Sequence, residues 1–307
     1  MSAGDGPTPA TATRTDTTPA PAARTPRPKE PSKARATIAW VALAVIFAGG
    51  AFLSNARWSH ITGIFTDGAR YFRLMGEGLL QNPLSEPYNE YWVLALEKMM
   101  ESVYMAWVGT MLGAVISIPF GFLAARNVAG PLTVQVTRVV LNAIRAVPEL
   151  VFVIVIMLPI FGFGPVAGAV ALGVGAVGTL GKLTAEALEG IDPGPVEAGQ
   201  ASGASRWAIL RWGYWTQVLP EVLAFWLYRF EVNIRASAVL GIIGAGGIGQ
   251  LLSQLFSKRD WDQIGITLVV IILVTIAVDA ISGAIRHRII AGSGSSATQE
   301  EKVEAAL

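Results

Sequence analysis

Three glycines in "GIIGAGGIGQ" (residues 241–250), Gly244, Gly246 and Gly249, have the G-x-G-x-x-G spacing that lets a backbone approach a dinucleotide pyrophosphate. That chemistry needs a strand before the glycines, a helix after them and a βαβ frame of about 30 residues. A second phosphate-cradling candidate is "AVGTLGKL" (176–183), close to G-x-x-x-x-G-K-[ST]. There Ala176 replaces the first glycine and Leu183 replaces the hydroxyl that would hold Mg²⁺. The chain is therefore not expected to hydrolyse ATP by itself. Two histidines, His60 and His287, and no cysteine leave no disulfide framework, no thiolate metal site and little material for a Ser-His-Asp site.

The segments that must hold these glycines are not those of a soluble enzyme. The 307 residues are 52% hydrophobic and 15% charged, against roughly 25% charged in ordinary soluble domains, and the mean hydropathy is +0.51. Lipid is the expected solvent, and a net charge of +1 gives no reason to invoke nucleic acid. Residues 1–36 are rich in Pro, Thr and Ala, and read as a disordered tail that cannot bury enough apolar surface to fold. Arg24, Arg27, Lys29, Lys33 and Arg35 precede the apolar run at 37–54, which places the N-terminus in the cytoplasm by the positive-inside rule.

Five more spans are expected near 101–124, 132–161, 165–185, 217–243 and 263–285, since about 20 apolar residues cross a bilayer. Six crossings return the C-terminus to the cytoplasm, in agreement with Arg126 and with "RHR" at 286–288. Residues 55–100 are then an extracytoplasmic connecting segment, 101–290 a core, and 291–307 a flexible tail. In this frame "GAGGIG" follows a long helix and reads as a glycine break, Gly244, Gly246, Gly247 and Gly249, in a turn or re-entrant segment.

Charge inside the spans is the next candidate for function, because Arg or Lys at a helix centre costs about 2.5–3.5 kcal/mol on insertion scales. Arg145, Lys182, Arg229 and Arg235 are candidates to line a path for a solute, with Glu149, Glu231 and Asp279 as the acids nearby. Arg145 with Glu149 and Glu231 with Arg235 are spaced i, i+4, which allows pairing on one helix face.

The long connection at 186–217 carries the remaining signal. Asp192-Pro193 starts a helix, small residues follow, and Arg206, Trp207, Arg211 and Trp212 end it. "EAGQASG" resembles the EAA loop of ABC-importer permeases, with Glu197, Ala198 and Gly203 on the pattern. Gly199, Gly213 and Trp215-Thr216 depart from it. "GTMLGAVISIPFGFLAARN", "RAVPELVFV", "LGKLTAEALEGIDPGPVEA", "SAVLGIIGAGGIGQLL" and "DAISGAIRHRI" resemble the phosphonate/phosphate ABC-transporter permease family, over roughly residues 100–290.

The resemblance implies an all-α polytopic membrane protein of about six transmembrane helices with the type I ABC importer permease fold, in a bacterial inner or plasma membrane. It implies a permease for phosphonate- or phosphate-type anions, working by alternating access. Two ABC subunits carrying ATP and Mg²⁺, and an extracytoplasmic binding protein, are the implied partners, and this chain needs no cofactor of its own. One EAA loop and no repeat of the spans imply a homodimer. Glu197, Ala198, Gly203, Ala204, Ser205 and Arg206 are the implied ATPase-coupling residues. A permease for another small solute, a stand-alone secondary transporter and an oxidoreductase are the competing readings; copurification with an ATPase carrying a complete P-loop separates the first from the other two.

Overall fold

A computed structural model describes residues 33–53 and 61–304. All but the last four residues of the expected N-terminal tail, and His60, lie outside them. The described chain folds into helices: α1 Lys33–Leu53, α2 Ile61–Leu80, α3 Tyr88–Ala124, α4 Pro131–Ala146, α5 Glu149–Phe161, α6 Pro165–Glu189, α7 Gly194–Ala201, α8 Arg206–Ala245, α9 Gly247–Lys258 and α10 Trp261–Glu304. Helix α1 is apolar on every side and belongs to a unit of its own. Four described helices are long and apolar enough to cross a membrane, or six if the bent pairs α4–α5 and α8–α9 each make one span.

Close approach of backbones holds the second unit together. In lipid, helices associate by packing and hydrogen bonds rather than by the hydrophobic effect, so small residues concentrate where helices meet. A Cβ on Gly109 of α3 would stand 2.6 Å from the carbonyl oxygen of Ala169 on α6, and one on Gly121 would stand 2.6 Å from Thr184 Cγ2. Gly113 is as tightly placed against Ala176. Helix α6 is thereby the buried centre, with α4 laid against Gly178 and Gly181 through Leu141. Some polar side chains at depth bond between or within helices: Asn233 Nδ2 donates to Thr110 Oγ1 at 2.9 Å, and the Thr110 hydroxyl donates to the Ala106 carbonyl at 2.7 Å. Val115, Ile116, Ile154, Val155, Ile272 and Ile276 point outward and are exposed, as expected of faces that meet acyl chains.

One expectation changes, and two segments gain helices. The single span at 132–161 is two helices bent by 86°. Proline at 148 excludes the helical conformation from Val147, which is extended (φ −87°, ψ 121°). The segment 55–100 is not a plain connection: it contains α2 and the first turns of α3. Helix α2 docks on the start of α10, with Tyr71 against Trp261 (ring centroids 4.5 Å apart) and Gly78 against Asp262. Helix α10 runs on through Glu304, where "ATQEEKVE" is made largely of good helix formers.

Candidate functional site

The glycine break is a backbone device. Gly244, Gly246 and Gly247 have φ of +98°, +85° and +69°, a region open to glycine at little cost. Gly249 is different: it is a packing residue in the first turn of α9, where a Cβ would collide with the Ala238 carbonyl. The break turns the chain by 57° from α8 into α9. The free N–H groups at the start of α9 are met by α3, since Gly247 N–H donates to Glu101 Oε1 at 3.0 Å and Ile248 N–H to Ser102 Oγ at 2.9 Å. Every N–H capped in this way is unavailable to a pyrophosphate. "AVGTLGKL" likewise lies inside α6, with Gly178 and Gly181 used for packing rather than for a loop.

The 186–217 connection is a short helix held rigidly on the bundle. Asp192 Oδ1 accepts from Gly194 N–H at 2.9 Å, a turn of the acid's own side chain that leads into the helix, whose N-cap is Pro193. Helix α7 ends in a Schellman motif: Gly203 N–H donates to the Gln200 carbonyl, Ala204 N–H donates to the Gly199 carbonyl, and Gly203 has φ +71°. Ser205 Oγ then accepts from Ala208 N–H at 3.3 Å and starts the next helix. Two departures from the EAA pattern have a packing reason here. Gly199 faces Ile209 Cγ1, and Gly213 faces Val196 Cγ2, each at 3.2–3.3 Å from a would-be Cβ, so both glycines let α7 lie against the first turns of α8.

Hydrogen bonds tie this unit to the rest of the same end of the bundle. Gln217 Nε2 donates to the carbonyls of Asp192 and Gly213, Tyr214 OH donates to the Asn127 carbonyl at 3.0 Å, and Asn127 Nδ2 donates to the Leu188 carbonyl at 2.6 Å. Arg138 pairs with Glu189 at 2.6 Å. Val196 is buried, whereas Glu197, Ala198, Gly203, Ser205 and Arg206 are exposed and Ala204 is half-buried. Trp207 (78% exposed) and Trp212 (66%) also stand out from the bundle, with Arg211 over the Trp212 ring. The result is a small-residue helix with free outer faces on a braced base.

The intramembrane charges are rearranged relative to their spacing. Arg145 does not pair with Glu149, because the Val147–Pro148 break separates them into different helices. Arg229 Nη2 donates to Glu149 Oε1 instead, across 80 positions of sequence. Glu231 does not pair with Arg235 either. Arg286 Nη2 donates to Glu231, and Arg235 Nη1 donates to Asp279 Oδ2 at 3.0 Å. An intrahelical Glu231–Arg235 pair would leave Arg286 and Asp279 of α10 without partners at the same depth, and an unpaired intramembrane charge is the costlier arrangement.

Of the four candidate pathway cations, Arg145 and Arg229 come together. They line a cavity of about 520 Å³ with Glu149, Gly175, Thr179 and Ala236, within the roughly 300–1,000 Å³ typical of small-ligand sites. Arg235 faces α10, and Lys182 lies along α6 at 3.6 Å from Glu186, so neither joins this cavity. Arg145 has no ion-pair partner among the described residues, and two guanidinium groups against one carboxylate leave the cavity with surplus positive charge. Sequence reasoning missed the partner of Glu149 and the capping roles of Glu101 and Ser102. All three join helices far apart in the chain.

Comparisons with known proteins agree with this geometry. Residues 117–291 match the family described as binding-protein-dependent transport system inner membrane component. The phosphate-import permease protein PhnE of Mycolicibacterium smegmatis is 40% identical over 191 residues, covering 62% of this chain but only 36% of that protein. The phosphite transport system permease protein PtxC of Stutzerimonas stutzeri is 40% identical over 192 residues, 62% of this chain and 70% of that protein. In fold, the chain is similar to a subunit of the MetNI methionine ABC transporter solved in inward-facing conformations, with a TM-score of 0.59 at 23% identity over 67% of this chain and 99% of that one. With the apolar helices and their glycine-mediated packing, these matches mean that the chain belongs to the family of inner membrane components of binding-protein-dependent transport systems, as an all-α, multi-pass permease with the type I ABC importer fold.

Proposed function

We propose that the chain is the permease subunit of an ATP-driven importer for phosphonate-, phosphate- or phosphite-type anions. The observation that carries the anionic substrate is the cavity at the α4–α5 break, where Arg145 and Arg229 face the single carboxylate of Glu149. A surplus cation in a span is costly unless something anionic visits it. The names of the phosphate- and phosphite-permease relatives support the same class.

The exposed helix α7 is the contact for the ATPase subunits. Glu197, Ala198 and the Gly203–Arg206 segment are the docking residues, and the hydrogen bonds from Gln217, Tyr214 and Asn127 carry movement of that helix into α3, α6 and α8. ATP and Mg²⁺ then belong to the partner subunits, and hydrolysis is not this chain's chemistry. Two copies related by a two-fold axis enclose the path. Both termini and α7 lie on the cytoplasmic side by the positive-inside rule, from the basic residues before the first span and Arg126 after α3. An extracytoplasmic binding protein delivers the anion and makes most of the choice among candidates.

The test is reconstitution of the chain with its ATPase and binding protein in liposomes. Uptake of labelled phosphate, methylphosphonate and phosphite is measured together with substrate-stimulated ATP hydrolysis. ATP-dependent uptake of at least one of them is expected. Uptake independent of the ATPase would indicate a stand-alone transporter, and uptake of none would reject the anion class.

A further inference from the structure

We propose that Glu149 is a resident counter-ion, which holds Arg229 while the path is empty and yields that place to the oxyanion in transit. The proposal rests on the reading that an anion passes the Arg145–Arg229 cavity. It adds a competing group built into the protein itself.

The two partners are held very differently. Arg229 projects from an unbroken stretch of α8, and its side chain is 10% exposed. Glu149 is the first residue of α5, directly after the break at Val147–Pro148, and its side chain is 25% exposed. Among the described residues its carboxylate has one side-chain partner, Arg229. A carboxylate at the first turn of a helix is also tolerated when it leaves its cation, because it faces the unsatisfied N–H groups there.

Arg229 has donor capacity that Glu149 does not use. Its Nε is buried and has no hydrogen-bond partner, although guanidinium is suited to bidentate contact with an oxyanion. A tetrahedral oxyanion, with acceptors spread over several oxygens, can engage Nε and Nη2 together and take Arg145 as a second cation. Gly175 leaves room for the exchange: a Cβ there would stand 2.9 Å from Glu149 Oε1 and 3.3 Å from Arg229 Nη2. The other deep pairs, Glu231–Arg286 and Arg235–Asp279, lie on the α10 side of α8 and do not line the cavity.

The experiment is equilibrium binding of labelled phosphate to the purified permease–ATPase complex without the binding protein, alongside uptake in liposomes. Methylphosphonate and phosphite are run in parallel. Glu149→Gln is expected to raise binding at least tenfold, because the competitor is neutralised, and to lower maximal uptake because the anion leaves more slowly. Arg229→Gln is expected to abolish both. In the Glu149→Gln/Arg229→Gln double variant, assembly should persist without anion binding. If Glu149→Gln does not assemble, Glu149→Asp, one methylene shorter, is expected to show a smaller rise. Unchanged binding in Glu149→Gln, or in Glu149→Asp where that is the variant measured, with uptake still lost in Arg229→Gln, would make Glu149 a fixed brace and overturn the proposal alone. Wild-type uptake in Arg229→Gln would remove the pathway reading, and the counter-ion with it.

Discussion

Replacing Gly203 separates two reasons for a glycine in the coupling loop. Its φ of +71° closes the Schellman motif at the end of α7, and a Cβ built there meets nothing within 4 Å. Inside this chain, then, the cost of a side chain is conformational rather than steric. For a residue other than glycine the left-handed conformation costs roughly 1–2 kcal/mol, which lowers the ratio of correctly turned to misturned loop by about 5–30-fold. Gly203→Ala should lose about fivefold in coupled transport by this route. Asparagine visits the same conformation more readily, so Gly203→Asn relieves most of the backbone cost while placing a side chain on the exposed face. If the ATPase docks closely on that face, Gly203→Asn still loses transport and Gly203→Leu loses nearly all of it. The assay is uptake and substrate-stimulated ATP hydrolysis in liposomes with matched protein levels. Wild-type uptake and stimulation in Gly203→Leu would refute the coupling role. Full activity in Gly203→Asn with loss in Gly203→Leu would assign the glycine to the turn alone.

Arg229→Gln should reduce anion uptake far more than Arg235→Gln, since Arg229 lines the cavity whereas Arg235 pairs with Asp279 and does not; equal losses in labelled-anion uptake would contradict the assignment of the cavity. Gly109→Val places its Cβ 2.6 Å from the Ala169 carbonyl and must push α3 from α6, an overpacking cost of about 1–3 kcal/mol; a lower melting temperature of the purified complex is the expected readout, and an unchanged one would show that the two helices part easily. Deleting residues 2–23 should leave assembly intact, since that stretch lacks the apolar residues to form a core; loss of the complex on size-exclusion chromatography would contradict this.

Much of the fold was legible because lipid imposes a simple rule on sequence. A run of about 20 apolar residues must be helical to satisfy its backbone. The apolar stretches at 37–54, 165–185 and 263–285 therefore fall inside helices α1, α6 and α10, apart from Ser54, which lies outside the described residues. The glycine break was legible for a related reason, as consecutive glycines after a helix have few uses other than positive φ and close approach. The short helix α7 was legible through Asp192-Pro193 and the small residues after it, whose types and spacing are local. Local signals are what a single sequence carries.

Tertiary structure decided what depends on pairs of distant positions. Spacing offered Arg145–Glu149 and Glu231–Arg235, but the Val147–Pro148 break parts the first pair, and pairing Glu231 with Arg286 and Arg235 with Asp279 leaves fewer charges unpaired than the second. That arrangement depends on α10 bringing Asp279 and Arg286 beside α8, and on α5 bringing Glu149 beside Arg229. Gly199 and Gly213 looked like lapses from the EAA pattern until Ile209 and Val196 were found opposite them. The positive φ of Gly203, set by the hydrogen bonds at the end of α7, is likewise visible only in the folded chain. Sequence alone determined which apolar segments are helical and where the glycine break falls, but not the bend at Val147–Pro148; only the packed helices determined which charges meet, because ion pairing in lipid is set by three-dimensional neighbours and not by spacing along one helix.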